Sequence, residues 1–152
     1  MDGKDVLLLN LLQQDARQTL ERLADEVALS VPAVQKRIKR LRDTGVIIKE
    51  VAVVDPAAVN ITMKFIIVVE LERDRSDQVE AFQRKAVADP LVQQCYYVTG
   101  EGDFIIVSVA RNMYDYEAMT QRLFFSDDNV RGFKTFISMG EAYQTLGITI
   151  EG

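Results

Sequence analysis

TLERLADEVALSVPAVQKRIKRLRDTGVI, residues 19–47, decides the architecture. Thr19 is a good helix N-cap, and Leu20, Leu23, Ala24 and Val27 follow at the i, i+3, i+4, i+7 spacing of one buried helical face. Ala28-Leu29-Ser30 then breaks the pattern for three residues. Ser30 is placed to cap a further helix, with Pro32 acceptable in its first turn. In that helix Val31, Val34, Ile38 and Leu41 form the inner stripe, and it ends before Gly45. Upstream, Lys4 to Gln14 reads as a first helix. Leu8, Leu9 and Leu12 face inward, and Asp5 sits in the first turn, where the helix dipole favours an acid. Two helices joined by so short a turn, the second one basic, have the layout of a helix-turn-helix.

The outward positions of the third helix carry the chemistry. Five of the seven residues from 36 to 42 are basic and none is acidic. Phosphate is the natural partner for that charge, through direct contact and counterion release. The candidate DNA-binding residues are Ser30, Pro32, Ala33, Gln35, Lys36, Arg37, Lys39 and Arg40. Small Pro32 and Ala33 permit close approach to a groove floor, and Gln35 can make a bidentate contact with adenine. The cations further along would hold phosphates. The rival reading is a solvated face whose charges pair with Asp25, Glu26 and Asp43 nearby.

The chain's 152 residues allow one ordinary domain or two small ones, and 48% apolar content supports a packed core. The net charge of −5 argues against coating nucleic acid or an anionic membrane with the whole surface, but leaves room for a local basic patch. Charge is uneven: residues 1–50 hold 9 Lys+Arg and 8 Asp+Glu, against 9 and 15 in residues 51–152. With no histidine, a serine–histidine triad and a histidine-based zinc hydrolase are excluded. One cysteine, Cys95, cannot form an internal disulfide. It reads as a buried, inert thiol in a reducing cytosol. The N-terminal apolar run is short and flanked by acids, unlike a signal peptide, and nothing approaches the ~18 apolar residues of a membrane span. No membrane, metal or cofactor is expected, and Glu70, Glu72 and Asp74 read as a solvated strand edge.

Beyond residue 46 the pattern changes to β-branched runs, VIIKEVAVV and then FIIVVEL. Ile47 to Val54 reads as an extended connector closed by Asp55-Pro56. Strands are expected at Met63–Leu71, Val92–Val98, Phe104–Val109 and Phe133–Met139. Helices are expected at Asp77–Val87 and Tyr114–Phe125, with one more strand at Leu146–Ile150. The fold class is α+β: a helix-turn-helix, plain or winged, followed by a ferredoxin-like β-α-β-β-α-β unit. The expected divisions are 1–50, a connector at 51–60, and 61–152.

DVLLLNLLQQDAR and LERLADEVALSVPAVQKRIKRLRDTGVI resemble the N-terminal half of the Lrp/AsnC, or feast/famine, family of prokaryotic transcription regulators. The matching positions are Asp5, Asp15 with Arg17, Val27-Ala28-Leu29-Ser30, Arg37 with Leu41, and Gly45 with Ile47. CYYVTGEGDF resembles the same family's segment in its ligand-sensing half, the RAM domain. The resemblance implies a cytoplasmic, nucleoid-associated regulator, not an enzyme, that binds double-stranded DNA as a homodimer assembling to an octamer. Its assembly or DNA affinity would respond to a small amino-acid effector. Without the resemblance, a ferredoxin-like small-molecule-binding adaptor that does not bind DNA is the alternative.

Thr99-Gly100-Glu101-Gly102-Asp103 reads on its own as a hairpin loop with glycines at positive φ. The resemblance makes it an effector loop between subunits. Asp103 would receive an ammonium, and backbone N–H groups near Gly100 and Gly102 a carboxylate. Thr135 and Ser138 of the final core strand would add hydrogen bonds from the facing wall, with Ile137 and Met139 alternating to the other face. Two residues depart from the family pattern. Ala28 replaces the usual turn glycine, so a slightly different turn is expected. Gly102 stands where a larger residue is usual, which would leave room for a medium or large effector side chain.

Overall fold

A computed structural model describes residues 1–140 and 145–151, and the chain divides into two compact units, 1–53 with 145–151, and 54–140. Residues 145–151 group with the first unit, not with the second as the expected division of 61–152 has them.

In the first unit, α1 (Gly3–Gln14) opens on a capping box. Asp2 accepts from the Asp5 N–H at 3.0 Å, and Asp5 accepts from the Asp2 N–H at 2.9 Å. The second helix, α2 (Leu20–Val27), is capped by Thr19, whose hydroxyl accepts from the Arg22 N–H. Next comes α3 (Val31–Asp43), with Ser30 at the N-cap position but making no side-chain cap bond. Leu8, Leu23, Ala24, Val27, Val34 and Ile38 are buried together where the three helices meet. The turn between α2 and α3 differs from expectation. Ala28 itself adopts the left-handed conformation, φ 51° and ψ 57°, and the Leu29 N–H closes back on the Ala24 carbonyl at 3.0 Å. The turn thus keeps the geometry a glycine would give it, and alanine bears the left-handed cost of about 1 kcal/mol.

After α3 the described residues form no strand before Met63, only the short 3₁₀ turn Ala57–Val59, so the helix-turn-helix is plain rather than winged. Leu146–Ile150 is likewise not a strand. Residues 145–151 lie along α1, held by the side chains of Asn10 and Gln13. Alternation of β-branched residues predicts extended backbone equally well whether or not a neighbouring strand is at hand.

The second unit is an antiparallel sheet in the order β2-β3-β1-β4, with β1 (Met63–Leu71), β2 (Val92–Tyr97), β3 (Phe104–Ala110) and β4 (Val130–Ile137). Helices α4 (Ser76–Ala88) and α5 (Met113–Thr120) provide the crossovers, and α5 runs into a π-turn at Gln121–Phe125. This is the ferredoxin-like β-α-β-β-α-β arrangement. Pairing of Ile67 with Ile106 and with Thr135 fixes the register of the three strands around β1. Phe65, Ile67, Val69, Phe104 and Ile106 point to one face and are fully buried against Val79, Phe82, Ala86, Met119, Leu123 and Phe124. The opposite face carries Ile66, Val68, Ile105, Val107, Tyr96 and Phe136 in the same registers, and none of these is fully buried.

Candidate functional site

The α2–α3 turn and the apolar stripe of α3 together determine what this helix shows to solvent. Burial of Val34, Ile38 and Leu41 turns Pro32, Gln35, Lys36 and Lys39 outward, where all four are exposed. They sit at i, i+3, i+4 and i+7, one continuous stripe of about two turns. Ser30 is exposed at its start and Ala33 is half-buried beside it. An exposed glutamine flanked by two lysines on a helix with a slim N-terminal turn suits it to a nucleic-acid groove.

The remaining cations of α3 are engaged elsewhere, which corrects the expectation of an unpaired basic run. Arg37 donates to both carboxylate oxygens of Asp2 and to Asp5 Oδ1, each at 2.8 Å, and Arg40 donates to Asp5 Oδ2 at 2.6 Å. Arg42 pairs with Glu50 and Lys39 with Asp43. Lys36 is the cation of α3 with no acidic partner among the described residues. The partners of Arg37 and Arg40 come from α1, some 35 residues upstream in the sequence, rather than from Asp25 and Glu26, while Lys39 meets the expected Asp43. Asp5 is 1% exposed. Burial pushes its carboxyl upward, but the Asp2 N–H, Arg37 and Arg40 more than offset this and hold it below the ordinary range. The hydrogen bond from Arg37 holds Asp2 down to about 2. Arg37 is raised in turn by the same two acids. A guanidinium so held positions α1 against α3. Arg37 is therefore a structural residue in this geometry, and Arg40, 52% exposed, can serve both α1 and an outside anion.

The loop Thr99–Asp103 joins β2 to β3, with Gly100 at φ 132° and Gly102 at φ 136°. Asp103 ties the loop to β1: its N–H donates to the Val69 carbonyl at 2.8 Å and its Oδ2 accepts from the Leu71 N–H at 2.7 Å. The Gly102 N–H donates to the Gly100 carbonyl, so that donor is used inside the loop. A Cβ on Gly102 would lie 2.5 Å from Val68 Cγ1. The space beside Gly102 is therefore filled by Val68, and the expected room for a larger effector side chain is not found there.

The two expected wall residues on β4 point apart. Thr135 faces the helices, its hydroxyl 2.7 Å from that of Tyr116. Ser138, three residues on, belongs to the other side, and its N–H donates to the Lys64 carbonyl. Ile137 thus shares a face with Thr135 rather than opposing it. Five residues of β1 separate Lys64 from Val69, roughly 16 Å at about 3.3 Å per residue. One copy of the chain cannot place Ser138 and the Gly102 loop on the same small molecule. Cys95 is half-buried in β2, and burial pushes its thiol upward, away from nucleophilic use.

Residues 1–42 match the AsnC-type helix-turn-helix domain, and residues 64–148 match the Lrp/AsnC ligand binding domain. An HTH-type transcriptional regulator of Sinorhizobium fredii is 42% identical over 151 residues, covering 99% of this chain and 89% of that protein. The leucine-responsive regulatory protein of Rhizobium meliloti is 26% identical, over 99% of this chain and 96% of its own length. Among solved structures, a transcriptional regulator of Neisseria meningitidis in complex with L-methionine superposes with a TM-score of 0.89 at 26% identity, covering 97% of this chain and 96% of that one. The feast or famine regulatory protein of M. tuberculosis, also complexed with L-methionine, gives 0.85 at 27% identity, covering 98% and 99%.

Proposed function

The chain belongs to the Lrp/AsnC family of transcription regulators, and from that premise we propose that it reads duplex DNA with the exposed stripe of α3 and adjusts its assembly or DNA affinity to a free amino acid. The observation that carries the DNA reading is the segregation on α3. Gln35, Lys36 and Lys39 face outward as a group, while Arg37 is turned onto α1. In this reading Pro32 and Ala33 allow approach, Gln35 reads a base, and Lys36, Lys39 and Arg40 hold phosphates. Ser30 contributes at the helix start.

One chain offers one recognition helix, so a homodimer reading two half-sites is the geometry that gives useful specificity. The apolar open face of the sheet, with Ile66, Val107, Tyr96 and Phe136, is a surface a second copy can cover, and an octamer follows the family's habit. The effector site would form between copies. Asp103 Oδ1 would take the ammonium, the N–H groups of Gly100 and Glu101 the carboxylate, and Ser138 of an adjoining copy would complete the wall. Thr99 and Gly102 shape the loop. Thr135 is left out, because its hydroxyl already meets Tyr116. L-methionine, bound by two of the structural relatives, is the first candidate. Action in the bacterial cytoplasm, on the nucleoid, follows from DNA as the partner.

A salt titration against duplex DNA tests the first half. Lys36→Ala lowers affinity on all duplexes and reduces the slope of log K against log salt by about one. Gln35→Ala costs about 1–3 kcal/mol on the preferred site and little on random DNA. No measurable binding to any duplex at low salt would instead favour the adaptor without DNA binding. Asp103→Asn tests the second half. It keeps an oxygen for the Leu71 N–H while removing the charge, so amino-acid response is lost and the fold is kept. Unchanged affinity for every one of the twenty amino acids would remove Asp103 from the site.

A further inference from the structure

α1 is engaged at both ends of its length. Near its start, Asp2 and Asp5 hold Arg37 and Arg40 of the recognition helix. Near its end, Asn10 and Gln13 hold the segment 145–151. The Gln13 carboxamide pairs with one residue twice: Nε2 donates to the Ile148 carbonyl at 3.1 Å, and Oε1 accepts from the Ile148 N–H at 2.8 Å. This is the two-bond exchange that a neighbouring strand would make. One helical turn earlier, Asn10 Nδ2 donates to the Ile150 carbonyl at 3.2 Å. A spacing of three on the helix thus meets a spacing of two on the segment, and it is the backbone that is recognised.

The side chains of the segment contribute little. Leu146 is 76% exposed and Ile148 is 70% exposed. Ile150 is half-buried, so the hold consists of a few partly exposed polar bonds and one partly covered apolar side chain, the composition of an element that opens well below the global unfolding free energy.

We propose that residues 145–151 form a releasable strap on α1, and that its release loosens the recognition helix through the Asp2–Asp5–Arg37–Arg40 contacts.

The test uses the full chain and the double variant Asn10→Ala, Gln13→Ala. Alanine is the better helix former at both positions, so α1 itself is not weakened. Amide hydrogen exchange is followed at Ile148 and at α3, Val34 to Leu41, together with affinity for duplex DNA. In the wild type the Ile148 N–H is protected. In the double variant its exchange rises at least tenfold, α3 exchange rises several-fold, and DNA affinity shifts at least threefold. An unprotected Ile148 N–H in the wild type overturns the strap. A released strap with unchanged α3 exchange overturns the coupling. Repeating the DNA measurement with and without saturating L-methionine, and with the other amino acids in turn, separates the two ideas. A wild type that responds to none of them defeats the effector reading alone, while the exchange data still decide the strap.

Discussion

The two units solve the same problem with different materials. The second unit is held by apolar surface: Phe82 lies 4.9 Å from Phe104, Phe124 lies 4.5 Å from Phe133, and Phe65 stacks on Tyr116 at 4.3 Å between ring centroids. Its buried carboxylate Asp89, at the end of α4, meets the half-exposed Arg122 of the π-turn. The first unit has a smaller aliphatic core and sets one buried carboxylate, Asp5, between two arginines. Aliphatic packing of short helices leaves their rotation loosely specified. A carboxylate with fixed hydrogen-bond directions removes that freedom, and here it fixes the helix whose orientation the proposed function depends on.

The comparison can be broken most severely in the second unit. Phe104→Ala removes a fully buried ring touching both Phe82 and Tyr97, and costs about 3–5 kcal/mol, read as a lower denaturant midpoint. A loss below about 1 kcal/mol would mean that the aromatic layer is not what holds this unit.

Asp5→Ala should cost about 2–3 kcal/mol in the first unit. It removes the capping-box partner and leaves Arg37 and Arg40 to seek water, which their partial exposure allows. The same cluster sets an acid limit. Asp2 and Asp5 titrate lower folded than unfolded, so their stabilisation is complete above the unfolded value of about 4 and is lost as pH falls below it, for Asp2 toward about 2. Circular dichroism should therefore show Asp5→Ala flattening the acid dependence of the helical unit. A variant with the wild-type acid slope would assign that slope to other carboxylates.

Ala28→Gly sharpens the picture in the opposite direction. It should stabilise the first unit by about 0.5–1 kcal/mol, since the residue already sits at φ 51°. The smallest effect belongs to Ser108, which is fully buried with its hydroxyl unpartnered. Ser108→Ala should raise the second unit's stability by up to about 1 kcal/mol, visible as a slightly higher Tm.

What could be read from the sequence was whatever depends on near neighbours. The 3–4 spacing of Leu20, Leu23, Ala24 and Val27 predicts α2, and the buried stripe Val34, Ile38 and Leu41 predicts the outward set on α3. The apolar, β-branched run FIIVV predicts β1, and the order of the elements, β-α-β-β-α-β, predicts the ferredoxin-like arrangement. What could not be read was pairing across distance. Nothing local to Arg37 says that its partners are Asp2 and Asp5, though an acid pair at i, i+3 opening a helix hints at something to hold. Nothing in TLGITI distinguishes a sheet strand from a segment carried by two amide side chains. Thr135 and Ser138 lie three residues apart, and the pleat puts residues three apart on opposite faces, so the shared wall expected of them does not form within one copy.

The position of β1 at the centre of its sheet has a consequence for synthesis. It is made before β3 and β4, the strands that cover its two edges, through pairs such as Val69 with Phe104 and Val69 with Phe133. At about 5–20 residues per second, MKFIIVVEL emerges several seconds before the last of its partners. During that interval it is a strongly apolar strand with both edges open, the part of the nascent chain most inclined to pair with another copy of itself. A chaperone that binds short extended apolar segments would find its preferred site here, and slowed translation downstream of β1 would raise the aggregated fraction more than slowed translation anywhere in the helical unit.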